Sequence, residues 1–224
     1  MPLNDEVEPS VLQWFKLEKK LGEGSYGIVW RVSCRRTNEM LALKKQVGAF
    51  RNARDAQRTM REILLLHKLR GKSPHILNLH RIIRSQNDRD LYFVTDCMDC
   101  DLSKFAKRPK RPSDGEYALI VYQMLQGLAC LHAHGCLHRD IKPANILYKE
   151  EGHVVKLGDL GLARTLVSLA QEEQLDPEDV RNSTTSLWYM APETILGSQV
   201  FSKPADVWAI GCVMGEVMTG DVLF

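Results

Sequence analysis

The stretch LGEGSYGIVWRVSCR, residues 21–35, restricts the fold more than any other part of the chain. Glycines at 22, 24 and 27 spell G-x-G-x-x-G. Glycine lets a backbone come close to phosphate oxygens with its N–H groups facing them. The pattern is weak alone, and a dinucleotide-binding fold is its usual rival. That fold needs a helix to open directly after the glycines. Here Ile28, Trp30, Val32 and Cys34 alternate instead with Arg31, Ser33 and Arg35, a period of two that predicts a strand. The segment therefore reads as a glycine-rich hairpin able to fold over a nucleotide. Val29 is the apolar exception on the polar face, and an exception there can line a ligand.

Strands are predicted across residues 14–47, and 91–95 adds a short apolar one. Residues 55–69, DAQRTMREILLLHKL, place Met60, Ile63, Leu64 and Leu66 near helical spacing, with Asp55 as the expected cap. From about residue 114 the pattern is mostly helical. Residues 115–135 read as one amphipathic helix ending at Gly135, and 203–220 as another, with Pro204 near its first turn and Gly220 after its last. Residues 1–12 are expected to form a loose leader. Strands first and helices after predict an α+β protein of two lobes, 13–98 rich in β and 99–224 helical, within one domain. A site between two lobes is a common place for a small molecule.

Composition narrows the function classes. With 44% hydrophobic and 26% charged residues among 224, the chain is ordinary for a globular protein. Its net charge of +2 gives no reason to expect a nucleic-acid or membrane partner. No apolar run approaches the roughly 20 residues a membrane helix needs. The acidic opening MPLNDEVEPSVLQW lacks the apolar core of a signal peptide. Six cysteines at this length do not suggest a disulfide scaffold. The expectation is a reduced, intracellular, cytoplasmic protein. The basic run Lys104, Lys107, Arg108, Lys110, Arg111 reads as a solvated face, with a nuclear-targeting signal as the alternative.

Three further stretches carry chemistry. CLHRDIKPANILY, 136–148, sets His138, Arg139, Asp140, Lys142 and Asn145 against Ile146, Leu147 and Tyr148. Polar groups packed so tightly are costly to bury unless they satisfy each other or a ligand. In LALKK, 41–45, a strand sends Ala42 and Lys44 to one face. Ala42 leaves room for a flat base, and Lys44 can reach its phosphates. A lone strand lysine is usually a solvated edge residue. Glu62 on the following helix changes that weighing, because a Lys–Glu pair would hold the ammonium in place. Asp159-Leu160-Gly161 follows the strand-like VVKLG. An acid followed by glycine is often just a turn. Its functional reading is a carboxylate holding Mg2+, with Asn145 supplying a second oxygen, since Mg2+ takes few protein oxygens beside phosphates.

In order, the glycine-rich hairpin, Lys44, Glu62, His138-Arg139-Asp140 with Asn145, Asp159-Leu160-Gly161 and Ala191-Pro192-Glu193 resemble the signature set of eukaryotic protein kinases. Lys142, two residues after Asp140, looks like the serine/threonine pattern. AFRNARDAQRTMREI (49–63), NDRDLYFVTDCMDCDLSKF (87–105) and LHRDIKPANIL (137–147) resemble the mitogen-activated protein kinases, in particular their atypical extracellular-signal-regulated branch. The resemblance implies phosphoryl transfer from ATP, with Mg2+, to serine or threonine of protein substrates, and an upstream activating kinase. By it, Asp140 accepts or orients the proton of the acceptor hydroxyl, and Lys142 neutralises charge on the transferring group. Lys44, held by Glu62, positions the phosphates, and Asn145 and Asp159 hold the metal. ATP would lie against Leu21, Gly22, Glu23, Gly24, Ser25, Tyr26, Gly27, Ile28, Val29 and Ala42. Thr95 would be the gatekeeper beside adenine, and the backbone of Asp96, Cys97 and Met98 the hinge that pairs with it.

Several positions depart from the family pattern. Leu160 replaces the family's phenylalanine, and an apolar leucine can fill the same packing role. Met190 stands where the family has arginine, removing a charged partner of the activation lip and loosening any expectation of proline after the acceptor. The Thr-x-Tyr motif is absent, and Arg181-Asn182-Ser183 occupy its positions. Arg58, Arg61, Arg139 and Arg164 match a cationic phosphate pocket, so a phosphate on Ser183, Thr184 or Thr185 is expected to order the segment. Ordinary surface pairs are the plainer use of those arginines. Ser186 would take the place of the threonine that contacts the catalytic aspartate, and the acidic stretch 164–180 reads as activation loop.

The helix at 203–220 reads as apolar all round, which belongs in a core. By the resemblance, further helices would follow GDVLF and cover it. The expectation is thus a truncated lobe with an exposed apolar patch. The competing reading is a non-catalytic module that binds a nucleotide or a partner. His132, His134, Cys136 and His138 suggest zinc, and Cys97 with Cys100 a redox pair. The helix end and the catalytic loop account for the first set, and the second lacks the other pair a zinc site needs.

Overall fold

The glycine-rich hairpin is formed by β1 (Phe15–Gly24) and β2 (Gly27–Cys34), followed by β3 (Met40–Gln46). The computed structural model describes residues 7–24, 27–166, 184–198 and 202–224, with the backbone alone at 184–186. It divides into two units, Met1–Arg70 with Leu77–Asp99, and Gly71–Ile76 with Cys100–Phe224.

In the first unit, β4 (Leu79–Arg84) and β5 (Leu91–Asp96) complete an antiparallel sheet in the order β1-β2-β3-β5-β4. Period-two alternation sorts its faces. Trp30, Val32, Leu41, Leu43, Tyr92 and Val94 form one buried cluster. Register pairs Val29 with Lys44, Arg31 with Ala42, Ala42 with Thr95 and Lys44 with Phe93, so these residues share the opposite face. Helix α1 (Pro9–Leu12) was expected to be part of a loose leader. From residue 7 onward it is packed instead: Val7 and Val11, four apart, are buried in the sheet cluster. The Glu8 carboxylate accepts from the Ser85 hydroxyl and from the Gln86 N–H at 3.0 Å.

Helix α2 (Ala53–Leu69) corrects two further expectations. Its cap is Asn52, whose Oδ1 accepts the Asp55 N–H at 2.8 Å. Asp55 sits in the first turn, where the helix dipole favours an acid. The buried stripe is Thr59, Glu62, Leu65, Leu66 and Leu69, whereas Met60 and Leu64 are exposed. A buried hydrogen bond from Gln46 Nε2 to Thr59 Oγ1, 2.8 Å, helps fix that stripe on the sheet.

The second unit contains α3 (Leu102–Ala106), α4 (Asp114–Ala133), α5 (Pro192–Ile195) and α6 (Lys203–Thr219). It also contains β6 (Cys100–Asp101), β7 (Cys136–Leu137), β8 (Ile146–Lys149), β9 (Val154–Leu157) and β10 (Arg164–Thr165); β9 is the strand expected at VVKLG, and the sequence pattern does not announce the other four. Segments of two to four residues are too short to display a period. They pair as β6-β8-β9 and β10-β7. Helix α4 buries Ile120, Gln123, Met124, Gly127, Leu128 and Leu131, an i, i+3, i+4 stripe. A Cβ on Gly127 would lie 2.6 Å from the His75 carbonyl oxygen, so only glycine admits that strand of backbone. Helix α6 ends at Gly220 in the left-handed region, φ 84°. It is not uniformly apolar inside: it buries Asp206 and Glu216 with Ala209, Ile210, Cys212, Val213 and Val217, while Val207, Trp208 and Met218 are exposed.

Candidate active-site residues

In the first unit, β3 and α2 bring Lys44 and Glu62 together, Nζ to Oε1 at 3.5 Å. Glu62 is 7% exposed, and the Lys44 ammonium lies 5.5 Å from the Phe93 ring centroid. The ion pair and the ring hold the ammonium on the face shared with Val29, Ala42 and Thr95. Ala42 and Thr95 are buried register partners. The glycines of the hairpin differ in cause. A Cβ at Gly27, φ +130°, would meet the Lys45 carbonyl oxygen at 1.8 Å. Among the described residues a Cβ at Gly24 would meet nothing within 4 Å, so their packing does not account for that glycine. Leu21, Gly22 and Ile28 are half-buried, and Glu23 is exposed beside Lys20 at 2.8 Å. Ser25 and Tyr26 lie outside the described residues. The β3–β5 ladder ends at Leu41 opposite Asp96, so Cys97 and the buried Met98 lie beyond it.

In the second unit, the segment between β7 and β8 gathers the polar cluster of residues 138–145. Asp140 is 5% exposed. Its carboxylate Oδ2 accepts from Asn145 Nδ2 at 2.8 Å and lies 3.0 Å from Lys142 Nζ. Asn145 Nδ2 also donates to the Asp140 main-chain carbonyl at 2.8 Å. These bonds answer part of the cost of burying the cluster: Asp140, Lys142 and Asn145 satisfy one another. The Asn145 main-chain carbonyl accepts the Gly158 N–H at 2.9 Å, which brings Asp159 next to Asn145. Asp159 Oδ1 accepts from the Gly161 N–H at 3.2 Å.

Two residues here adopt left-handed backbone without being glycine, Arg139 at φ 67° and Asp159 at φ 48°. Such conformations persist where surroundings over-determine them. Asp206 of α6 supplies the determination at Arg139. Its carboxylate accepts the Arg139 N–H at 2.9 Å, the His138 N–H at 2.9 Å and His132 Nε2 at 2.8 Å. His138 is fully buried; its Nδ1 accepts the Asp140 N–H at 3.4 Å, which assigns the proton to Nε2, facing the Gly158 carbonyl at 3.1 Å. His134 Nδ1 turns to the Cys130 carbonyl at 2.8 Å. The histidines suggested for zinc therefore have separate partners.

Pro192 opens α5 at its first turn, where a missing N–H costs nothing. The Tyr189 hydroxyl donates to buried Glu216; burial first, and that carboxylate second, push the phenol well above its ordinary range. Asp140, Met190, Ala191 and Ala205 line one cavity of about 60 Å³. Ser183 lies outside the described residues, as do the side chains of Thr184, Thr185 and Ser186. Sequence reasoning did not single out Asp206, Glu216 or Gln123, whose amide bridges Val155 N–H at 2.9 Å and the His153 carbonyl at 2.7 Å. The available signal was a carboxylate set among apolar residues of a helix.

An ion-paired strand lysine in one unit and a hydrogen-bonded aspartate–asparagine–lysine loop in the other are features of protein kinases. The protein kinase domain family matches residues 15–224, and the chain belongs to it. Mitogen-activated protein kinase 15 of Xenopus laevis is 41% identical over 219 residues, covering 98% of this chain and 37% of that protein. Mitogen-activated protein kinase 15 of Caenorhabditis elegans is 39% identical over 224 residues, covering 99% and 47%. Extracellular signal-regulated kinase 2 of Dictyostelium discoideum is 39% identical over 221 residues, covering 99% and 59%. The chain thus spans between 37% and 59% of the length of these relatives. The α+β kinase fold and the likeness to mitogen-activated protein kinases, both read from the sequence, hold. No helix among the described residues is long and apolar enough to cross a membrane.

Proposed function

We propose that the chain is an ATP-dependent serine/threonine protein kinase of the mitogen-activated kind, acting on protein substrates in the cytoplasm or nucleus. The observation that carries this reading is the Asp140 carboxylate, buried yet bonded to Asn145 at 2.8 Å and beside Lys142 at 3.0 Å. A carboxylate so oriented can accept the proton of a serine or threonine hydroxyl as its oxygen attacks phosphorus. The Lys142 ammonium sits next to that carboxylate, placed to offset negative charge on the group in transfer. Lys44, held by Glu62, binds phosphate oxygens of ATP, and Gly24 leaves open space for those phosphates to approach the hairpin. Ala42 and Thr95 offer small buried surfaces to the base.

Asn145 and Asp159 are hard oxygen donors, and with the Asn145 side-chain nitrogen turned toward Asp140, its side-chain oxygen would be the atom offered to a metal. Mg2+ held there would neutralise phosphate charge. Activation is assigned to phosphorylation of Ser183, Thr184 or Thr185 by an upstream kinase, supported by the retained arginines Arg58, Arg61, Arg139 and Arg164. Alanine at all three hydroxyl positions is expected to abolish activation.

Transfer of labelled γ-phosphate to a generic protein substrate tests the main reading. The wild-type chain is expected to be active with Mg2+, and Asp140→Asn to lose about 100- to 10,000-fold. Equal transfer by the two proteins would remove Asp140 from its role. Nucleotide binding without transfer in either would favour the non-catalytic module.

A further inference from the structure

Strand β5 leaves the sheet at Asp96, and the four residues from Asp96 to Asp99 carry a carboxylate at each end. Both carboxylates are tied back to the sheet, to different strands. At the first end, the β4–β5 pairing runs Leu79↔Thr95 and then Arg81↔Val94, so His80 sits in a bulge. A bulge re-aims the side chain it carries. His80 Nε2 reaches Asp96 Oδ1 at 2.8 Å. The Asn78 N–H donates to the other carboxylate oxygen at 3.0 Å, and the Asp96 N–H donates to the Asn78 carbonyl at 3.3 Å. At the second end, Arg31 Nη2 of β2 meets Asp99 Oδ1 at 2.6 Å. Arg31 is the register partner of Ala42, which is itself opposite Thr95.

Both pairs are partly shielded, His80–Asp96 more than Arg31–Asp99, whose acid belongs to an exposed residue. Arg84 and Asp88, both 70% exposed, form a loose surface pair, and fully solvated pairs contribute little. The side chains of His80 and Asp96 are 31% and 19% exposed, and those of Arg31 and Asp99 are 32% and 33%. Between the clamps lie Cys97 and Met98, whose main chain continues beyond the ladder with its direction set at both ends.

We infer that His80 and Arg31 are positioning residues for nucleobase choice: by pinning Asp96 and Asp99 to β4 and β2, they fix the main-chain carbonyl and N–H pattern of residues 96–98. The inference rests on the ATP reading. Adenine offers an amino donor beside a ring-nitrogen acceptor, whereas guanine offers a carbonyl acceptor beside an N–H donor. A main chain held in one orientation matches the first edge and opposes the second. A main chain free to rotate its peptide planes accommodates both. Discrimination of this kind lies in the unpaired groups that the wrong partner leaves.

The test is calorimetric binding of ADP and of GDP, with Mg2+, to the 224-residue chain and to His80→Leu, His80→Gln and Arg31→Leu, each also followed by thermal melting. The wild type is expected to prefer ADP. His80→Leu and Arg31→Leu are each expected to lower the ADP-to-GDP affinity ratio about three- to tenfold, the effect of one misaligned hydrogen bond. His80→Gln keeps an N–H donor and is expected to recover part of the ratio. Should His80→Leu fail to fold, the other two variants carry the test. A ratio within twofold of wild type in Arg31→Leu and in the folded His80 variants, whatever happens to melting, overturns the inference and leaves the ATP reading standing. Failure of the wild type to bind ADP at all sinks the ATP reading, and the inference with it.

Discussion

Asp206 accepts from two main-chain N–H groups and one imidazole, and all three donors belong to the stretch 132–139. Replacing it with alanine leaves buried donors without this acceptor, at about 1–3 kcal/mol for each orphan. Asp206→Ala is therefore expected to lower the melting temperature and the rate of phosphoryl transfer together. Melting with transfer unchanged would show that the loop keeps its geometry unaided. The contacts of Lys44 with Glu62, and of Asp140 with Lys142 and Asn145, were legible in the sequence because these residues belong to ordered motifs at fixed spacing. Asp206 was not, because it acts on main-chain N–H groups, which carry no signature of their own. Asp96 was named for its backbone, and its carboxylate clamp depends on a bulge that period counting cannot foresee.

Among the elements, Gly127 of α4 is the sharpest case. Its missing Cβ would lie 2.6 Å from a backbone carbonyl, which cannot swing aside as a side chain could. Gly127→Ala is expected to destabilise the chain by about 1–3 kcal/mol despite the higher helix propensity of alanine, read as a lower denaturation midpoint. A gain in stability would mean that residues 71–76 shift freely. At the other end of the scale, Asn52→Ala removes the α2 cap and is expected to cost about 1 kcal/mol. The long helices were legible from their periodicity. The cap was assigned to Asp55 because Asn52 and Asp55 are both capping residue types, and they bond reciprocally, Asn52 Nδ2 to Asp55 Oδ2 at 2.9 Å. The outcome turns on which backbone is extended, and Asn52 at φ −148° is.

For the whole molecule, the two-lobed α+β plan followed from the change of period along the chain, and each unit has buried apolar residues of its own. The packing of Val7 and Val11 was not legible, since two apolar residues in an acidic leader do not announce a partner. Val11→Asp places a charge in a fully buried site and is expected to lower global stability by several kcal/mol. Alkaline pH acts on the whole fold through Tyr148, whose phenol is pushed up to about 12, chiefly by burial and then by the charge of Glu116. Near pH 10 the unfolded chain begins to release that proton while the folded chain keeps it. The contribution is thus fully present below about pH 10 and is lost as pH rises toward 12. In urea titrations, the stability of wild type relative to Tyr148→Phe is expected to decline across that interval; a constant difference would show that the phenol titrates alike in both states.

The grip of Asp206 on residues 138 and 139 also has a consequence in time. Amide hydrogens in a connecting segment ordinarily trade with solvent deuterium as fast as the segment frays. Those of His138 and Arg139 are bound to a carboxylate rooted in the buried side of α6. They are expected to exchange only as often as α6 itself opens, so the segment at 138–139 should appear in the slowest cooperative unit of the protein and not among its mobile connections.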